Sequence, residues 1–260
     1  MQIKRDKLLE KLYDFCSIGN GLIIGKPGVG KSFLLKELQK KLYDSGNGVP
    51  ALILKVDTLL EYDDAAISIE LDLSENWIQA LKKISLSGKK AILIFDAFDA
   101  ARDERIRKGF LNQIRKAVRE LYESYNIIVT VRTYDASKSS ELLKLFGASG
   151  IMNELESCRK LEIAELTDEE ILQGIGGNKV LENLFYEASK ELKEIIRIPF
   201  FLMLLEGISK SVTEKEINLI KQYKSEAQLL KVYWEKKIKK YRWAYRKRNI
   251  CSKVNPSLSR

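Results

Sequence analysis

Short apolar runs bounded by turn residues recur along the first two thirds of the chain. Five of these runs are rich in Ile, Leu and Val on both faces, which is typical of strands buried in a parallel sheet. They are LIIG at 22–25, ALILKV at 51–56, AILIF at 91–95, IIVTV at 127–131 and KLEIAEL at 160–166. Segments with apolar residues at helical spacing separate them. This alternation predicts an α/β fold, a three-layer sandwich with a parallel sheet and helices on both faces.

The strand pattern stops near residue 166. Thr167, followed three residues later by Glu170, is the signature of a capped helix start. From there the spacing predicts an all-α helical lid subdomain of about four helices, the last running from about Glu214 to Arg248. We therefore predict two domains, residues 1–166 and 167–260.

Composition excludes several kinds of chemistry. The chain has no histidine, so His-based metal sites and Ser–His hydrolysis are ruled out. Cys16, Cys158 and Cys251 are scattered, which argues against a disulfide framework. The longest apolar stretch, 195–205, contains an arginine and a proline and is shorter than the ~20 residues that span a bilayer. We expect a cytoplasmic protein without a membrane span.

A glycine-rich loop, GKPGVGKS at 25–32, matches G-x-x-x-x-G-K-[ST] at every fixed position. Its glycines let backbone N–H groups surround an anion, Lys31 places a charge on the outer phosphates, and Ser32 offers a hydroxyl to Mg²⁺. A predicted strand precedes the loop and a predicted helix follows it, so we expect the loop to bind ATP or ADP. The expected nucleotide-binding residues are Gly25, Pro27, Gly28, Val29, Gly30, Lys31, Ser32 and Phe33.

An acidic residue for Mg²⁺ is expected at the end of a strand, where ligands meet an open α/β sheet. Asp96 follows the apolar run at 91–95, and Asp99 comes one turn later. Asp57, after the run at 51–56, is a rival without a second carboxylate nearby. The expected metal ligands are therefore Ser32 and Asp96.

Five segments occur in an order that resembles one class of P-loop protein. They are Gly25–Ser32, ILIFDAFDA, IIVTVRTYD, KLEIAELTDEEI and IRIPFFLMLL. Together they resemble the STAND class of signal-transduction ATPases, the bacterial relatives of NACHT and NB-ARC modules, over roughly residues 3 to 235. The segment IKRD at 3–6 is also similar to the element preceding the phosphate loop in this class and in origin-recognition-type AAA+ proteins.

The resemblance implies a signalling switch in which ATP controls closure of the lid and self-association or a larger assembly. Arg132 would read the γ-phosphate, and Pro199 would lie against the adenine. Ala97 stands where AAA+ enzymes with strong turnover carry a glutamate beside the magnesium aspartate. Hydrolysis should then be slow, with the attacking water oriented by Asp99 or by a partner chain. The expected catalytic residues are Asp96, Asp99 and Arg132.

The positive charge of the chain is concentrated at its end. Ten Lys and Arg and no acidic residue lie between Lys236 and Arg260, whereas the net charge of the whole chain is +9. The basic tail, Lys236–Arg248, is either the solvated face of a lid helix or a contact for nucleic-acid phosphates. Helical spacing over residues 226–248 places the apolar residues on the side opposite the lysines and arginines, and Trp234 is expected in the core of the lid. These apolar residues are Leu230, Trp234, Ile238, Tyr241 and Tyr245.

Two alternatives to the STAND-type switch follow. The basic tail favours an origin-recognition-like, DNA-associated AAA+ ATPase. A P-loop small-molecule kinase is the third hypothesis, and it is disfavoured because residues 167–210 contain no compact arginine cluster for a substrate.

Overall fold

The computed structural model describes residues 3–44, 49–59, 61–84, 88–101, 103–147 and 155–239. The chain divides into two compact units. One comprises Arg5–Ala164, and the other comprises Met1–Lys4 together with Glu165–Arg260. Most of the basic tail, from residue 240 onwards, lies outside the described residues, as do the predicted apolar positions Tyr241 and Tyr245.

The first unit is built on a five-stranded sheet in which every pairing is parallel. Its strands are β1 (Gly21–Gly25), β2 (Ala51–Lys55), β3 (Ala91–Asp96), β4 (Tyr125–Arg132) and β5 (Lys160–Glu162). The strand order is β2-β3-β4-β1-β5. Because β4 lies between β1 and β3, the segments that follow these three strands meet at the same carboxyl edge of the sheet. The last strand is shorter than predicted, ending at Glu162 instead of residue 166.

Seven helices accompany the sheet in the described part of this unit. They are α1 (Asp6–Ile18), α2 (Lys31–Asp44), α3 (Asp64–Glu70), α4 (Trp77–Lys82), α5 (Glu104–Glu120), α6 (Thr133–Lys138) and α7 (Ser140–Phe146). Alternate strand residues pack into two separate buried clusters. Leu93 and Phe95 join one cluster with α4 and α5, and Ile92 and Ile94 join the other with α1 and α2. Helices therefore cover both faces, and the predicted three-layer sandwich is confirmed.

The second unit is entirely helical within its described residues. Its helices are α8 (Asp168–Ile175), α9 (Lys179–Glu187), α10 (Lys190–Ile196), α11 (Pro199–Ser209), α12 (Glu214–Ile220) and α13 (Glu226–Tyr233), followed by a π-helical turn at Trp234–Lys239. The predicted cap of α8 is confirmed, because Thr167 and Glu170 form a reciprocal capping box. The six helices replace the four that the sequence pattern predicts.

The prediction of one long helix from Glu214 is wrong. The chain leaves helical geometry after Ile220, and a new capping box between Ser225 and Gln228 starts α13. Ser189 stabilises the break, since its N–H donates to the Lys221 carbonyl and its hydroxyl donates to the Tyr223 carbonyl, both at 2.8 Å.

The last helix buries a different face from the one that the sequence pattern predicts. Leu229 is fully buried, whereas Leu230 and Trp234, which the sequence pattern places on the apolar side of the helix, are 41% and 55% exposed. Val232 and Tyr233 are partly buried and pack against the core of the helical unit. The predicted core position of Trp234 is therefore wrong.

Candidate nucleotide-binding site

The glycine-rich loop connects the buried strand β1 to α2. Gly28 and Gly30 have φ angles of 77° and 91°, a left-handed conformation that residues with a Cβ adopt only at a cost. Between them Val29 is 1% exposed and anchors the loop in the core. The glycine pattern therefore permits the backbone path, and the buried valine fixes its position.

Lys31 begins α2 and turns its ammonium back onto the loop. Its Nζ donates to the Gly25 carbonyl at 2.8 Å and to the Lys26 carbonyl at 3.4 Å. The pKa of Lys31 is lowered, chiefly because burial disfavours its charged form, while the nearby carboxylate of Asp99 opposes that shift. The ammonium is thus held at the loop, where it would meet the outer phosphates of a nucleotide.

The next two residues, Ser32 and Phe33, are exposed. The sequence pattern places Phe33 on the apolar face of α2, but its side chain is 54% exposed, while Leu34 and Leu35 take the buried positions. Phe33 is turned out of the core because the buried face of α2 begins one residue later. The predicted contacts of Ser32 and Phe33 with a nucleotide remain predictions.

Asp96 is the last residue of β3 and is only 3% exposed. The hydroxyl of Thr130, on the neighbouring strand β4, donates to its Oδ1 at 2.5 Å. The same hydroxyl accepts the Ala97 N–H at 2.8 Å. One buried side chain therefore fixes both the orientation of the carboxylate and the backbone turn that follows it.

The oxygen set at this position suits Mg²⁺. Thr130 occupies Oδ1 of Asp96, and Oδ2 has no hydrogen-bond partner among the described residues. Ser32, the second residue of α2, is exposed and carries a hydroxyl. A carboxylate and a hydroxyl are hard oxygen ligands, which Mg²⁺ prefers alongside phosphate and water.

Ala97 occupies the position after Asp96 in a left-handed conformation, with φ 60° and ψ 43°. Such a conformation costs a residue with a Cβ about 1 kcal/mol. The chain then forms a 3-10 turn over Phe98–Ala100, which carries Asp99 to the end of β4. Strained backbone of this kind is often found at functional sites.

Asp99 and Arg132, two of the predicted catalytic residues, form an ion pair. The Arg132 Nε lies 2.7 Å from Oδ2 of Asp99, and the Arg132 backbone N–H donates a hydrogen bond to Oδ1 at 3.1 Å. The side chain of Asp99 is 7% exposed and that of Arg132 is 44% exposed. Asp99 therefore uses both carboxylate oxygens on one arginine at the carboxyl edge of the sheet.

A cleft of about 550 Å³ opens beside the loop. It is lined by Lys26, Pro27, Arg132, Thr133, Tyr134, Asp135, Ser137 and Leu155. Sequence reasoning assigned no role to Tyr134 or Asp135. Their position just after the end of β4, within the segment RTYD, is the signal that could have identified them, because that strand ends at the edge where ligands bind.

Pro199 lies in the helical unit, at the first position of α11. Its predicted contact with adenine remains a prediction. In the same unit Lys236, one of the residues predicted to contact nucleic-acid phosphates, forms an ion pair with Glu216 at 2.6 Å. No helix among the described residues is both long enough and apolar enough to cross a membrane.

The strand order, the glycine loop after β1 and the acid at the end of β3 define a P-loop nucleotide-binding domain. The sequence model of the family "ATPase family associated with various cellular activities (AAA)" matches residues 21–156, which is just over half of the chain. The chain belongs to the AAA family. That family is broader than the STAND class expected from the sequence motifs.

Three solved structures of archaeal proteins share the fold. Cdc6p from Pyrobaculum aerophilum is 11% identical with a TM-score of 0.54, covering 84% of this chain and 63% of that one. The ORC2 protein of Aeropyrum pernix, solved as ADPNP–ADP complexes, is 12% identical with a TM-score of 0.52, covering 82% and 66%. The Walker-type ATPase paby2304 of Pyrococcus abyssi is 15% identical with a TM-score of 0.51, covering 95% and 76%.

At these identities the likeness shows the fold alone. The chain spans less than two thirds of the length of the Cdc6p and ORC2 structures. No curated protein matches the sequence significantly.

Proposed function

We propose that this chain is an ATP-binding AAA+ module that acts together with DNA. The single observation that carries the ATP site is the grouping of Lys31, Asp96, Asp99 and Arg132. The three other side chains all act electrostatically on the Lys31 ammonium, which is bound to the phosphate loop.

Each residue has a distinct task in the proposed site. Lys31 and the amino terminus of α2 attract the outer phosphates. Ser32 and Asp96 hold Mg²⁺, which when bound neutralises charge on the phosphate oxygens. Arg132, at the mouth of the cleft, contacts the γ-phosphate, which distinguishes ATP from ADP.

The ATP site is tested by calorimetry with Mg²⁺ and a non-hydrolysable ATP analogue. Lys31→Ala removes the charge at the loop and should abolish measurable binding. Lys36→Ala, an equal change on the exposed side of the same helix, should bind as the wild type does. Unchanged affinity in Lys31→Ala would remove the assignment.

Two observations support DNA as the partner. The segment Lys236–Arg260, which contains the basic tail, concentrates ten positive charges within 25 residues of a chain whose remainder is nearly neutral. The fold is shared with a Cdc6p and an ORC2 protein, and the segment at 3–6 resembles the corresponding element of origin-recognition-type AAA+ proteins. The AAA family match favours this function over the STAND-type switch.

DNA binding is measured by fluorescence anisotropy of a labelled duplex at several salt concentrations. Each phosphate contact contributes about 0.9 to the slope of log affinity against log salt concentration. Changing Arg246, Lys247 and Arg248 together to Gln should lower that slope by up to about 2.7. Changing Lys36, Lys40 and Lys41 to Gln removes the same number of positive charges from α2. This control variant should keep the slope of the wild type. Equal losses in both variants would contradict a role for the tail.

The pairing of Arg132 with Asp99 favours a second candidate, the nucleotide-controlled assembly implied by the STAND resemblance. A ligand shifts an equilibrium only when it binds the two states with different affinity. An ATP analogue with Mg²⁺ should therefore increase the mass seen by light scattering, ADP should not, and Arg132→Ala should abolish the difference. A mass that never depends on the γ-phosphate would refute this candidate.

A further inference from the structure

The cleft beside the phosphate loop contains a carboxylate that the proposed ATP site does not use. Three carboxylates, those of Asp96, Asp99 and Asp135, lie close enough to Lys31 to act on its charge. Ala97 leaves empty the position where a glutamate would orient water, so within this chain these three carboxylates are the candidates for that function.

Two of the three are already committed. Asp96 is buried, accepts the Thr130 hydroxyl at 2.5 Å and is the proposed metal ligand. Asp99 is nearly buried, and Arg132 occupies both of its oxygens. A carboxylate whose two oxygens already face a guanidinium and a backbone N–H has fewer lone-pair positions left to receive a water molecule.

Asp135 has a different environment. It lies in the first turn of α6 and is partly exposed, and it lines the cleft together with Lys26, Pro27 and Arg132. Its carboxylate has no hydrogen bond or ion pair among the described residues. At about 550 Å³ the cleft has room for an outer phosphate and several waters, each of which occupies ~30 Å³ in the liquid.

We propose that Asp135 orients the attacking water and accepts its proton during ATP hydrolysis, in place of the glutamate missing at Ala97. The water oxygen forms a bond to the γ-phosphorus as the bond from that phosphorus to the β–γ bridging oxygen breaks. The electron pair of the broken bond leaves with ADP, and the water proton passes to the Asp135 carboxylate and then to solvent. This inference rests on the proposed ATP site.

The test uses the full chain and separates binding from hydrolysis. Asp135→Asn keeps the shape of the side chain and removes its basicity. It should lower the single-turnover hydrolysis rate by about 100-fold or more, the usual contribution of general base catalysis, while affinity for an ATP analogue stays within about threefold. Asp14→Asn, the same change on the exposed side of α1, should hydrolyse ATP at the wild-type rate.

Two further measurements exclude a structural role. Asp135→Glu should restore part of the rate because it restores a base. Asp99→Asn should retain more activity than Asp135→Asn.

The outcomes that overturn the inference differ from those that overturn the ATP site. Normal hydrolysis by Asp135→Asn, or a parallel loss of ATP affinity, would remove Asp135 from the water-orienting role and leave the site intact. A wild type that binds ATP without hydrolysing it, alone and with DNA, would also overturn the inference. Unchanged binding by Lys31→Ala would instead remove the ATP site itself.

Discussion

The contact between Thr130 and Asp96 gives a stability prediction whose size follows from the structure. Thr130→Val keeps the volume and the branched shape of the side chain but removes its hydroxyl. Asp96 then loses a hydrogen bond to a charged group, worth about 1.5–3 kcal/mol, and the Ala97 N–H loses its acceptor, worth about 1–3 kcal/mol. Since the two bonds share one hydroxyl they are not additive, and we expect a loss of about 3 kcal/mol in the free energy of unfolding.

The assay is urea unfolding followed by tryptophan fluorescence. Trp77 is fully buried, and its ring centroid lies 6.4 Å from that of Phe95, next to Asp96, so it reports on this part of the sheet. With an m-value of about 2 kcal/mol per molar urea, the midpoint should fall by about 1.5 M.

The chain provides a matched control. Thr133 has a buried hydroxyl without a hydrogen-bond partner among the residues that the structure describes, so Thr133→Val should change the free energy of unfolding by less than about 0.5 kcal/mol or increase it. Equal midpoints for Thr130→Val and Thr133→Val would refute the reasoning, because the hydroxyl of Thr130 would then contribute nothing to Asp96.

Three other predictions concern separate parts of the chain. Gly30→Ala should destabilise the first unit by about 1 kcal/mol in urea unfolding and weaken ATP binding. The cause is the backbone φ of 91° and not a steric clash, because the new Cβ would meet no atom within 4 Å. Burial raises the pKa of the Cys16 thiol to about 12, so mass spectrometry after iodoacetamide treatment at pH 8 should find Cys16 unmodified until the protein unfolds. The hydrogen bond from Lys236 lowers the pKa of Glu216 to about 2, and NMR titration of Lys236→Met should show that pKa rising towards 4.5. Because the pKa of Glu216 is lower in the folded state, the stability that this pair contributes is complete above pH 4.5 and is lost as the pH falls towards 2.

The sequence predicted those features that depend on local pattern. Gly28 and Gly30 are needed wherever the backbone adopts that loop, and an acid after the apolar run at 91–95 has to fall at a strand end. The ion pair of Asp99 with Arg132 depends instead on β4 lying beside β3, which the order of strands along the chain does not reveal. The break after α12 is stabilised by Ser189, a residue over thirty positions earlier, and a local pattern does not show that contact. The position of Asp135 just after β4 indicates the edge where ligands bind, but the sequence does not show that this residue lines the cleft.

Thr130 and Arg132 lie two residues apart on β4, and successive side chains of a strand point to opposite faces, so these two leave the strand on the same side. Thr130 contacts Asp96, the last residue of β3, and Arg132 contacts Asp99 in the turn that follows. The ends of the two strands are therefore joined by two side-chain contacts. If Asp96 holds the proposed Mg²⁺, a shift of its carboxylate would be transmitted through β4 to Arg132 and to the first turn of α6, and the proposed metal position would be mechanically coupled to the cleft.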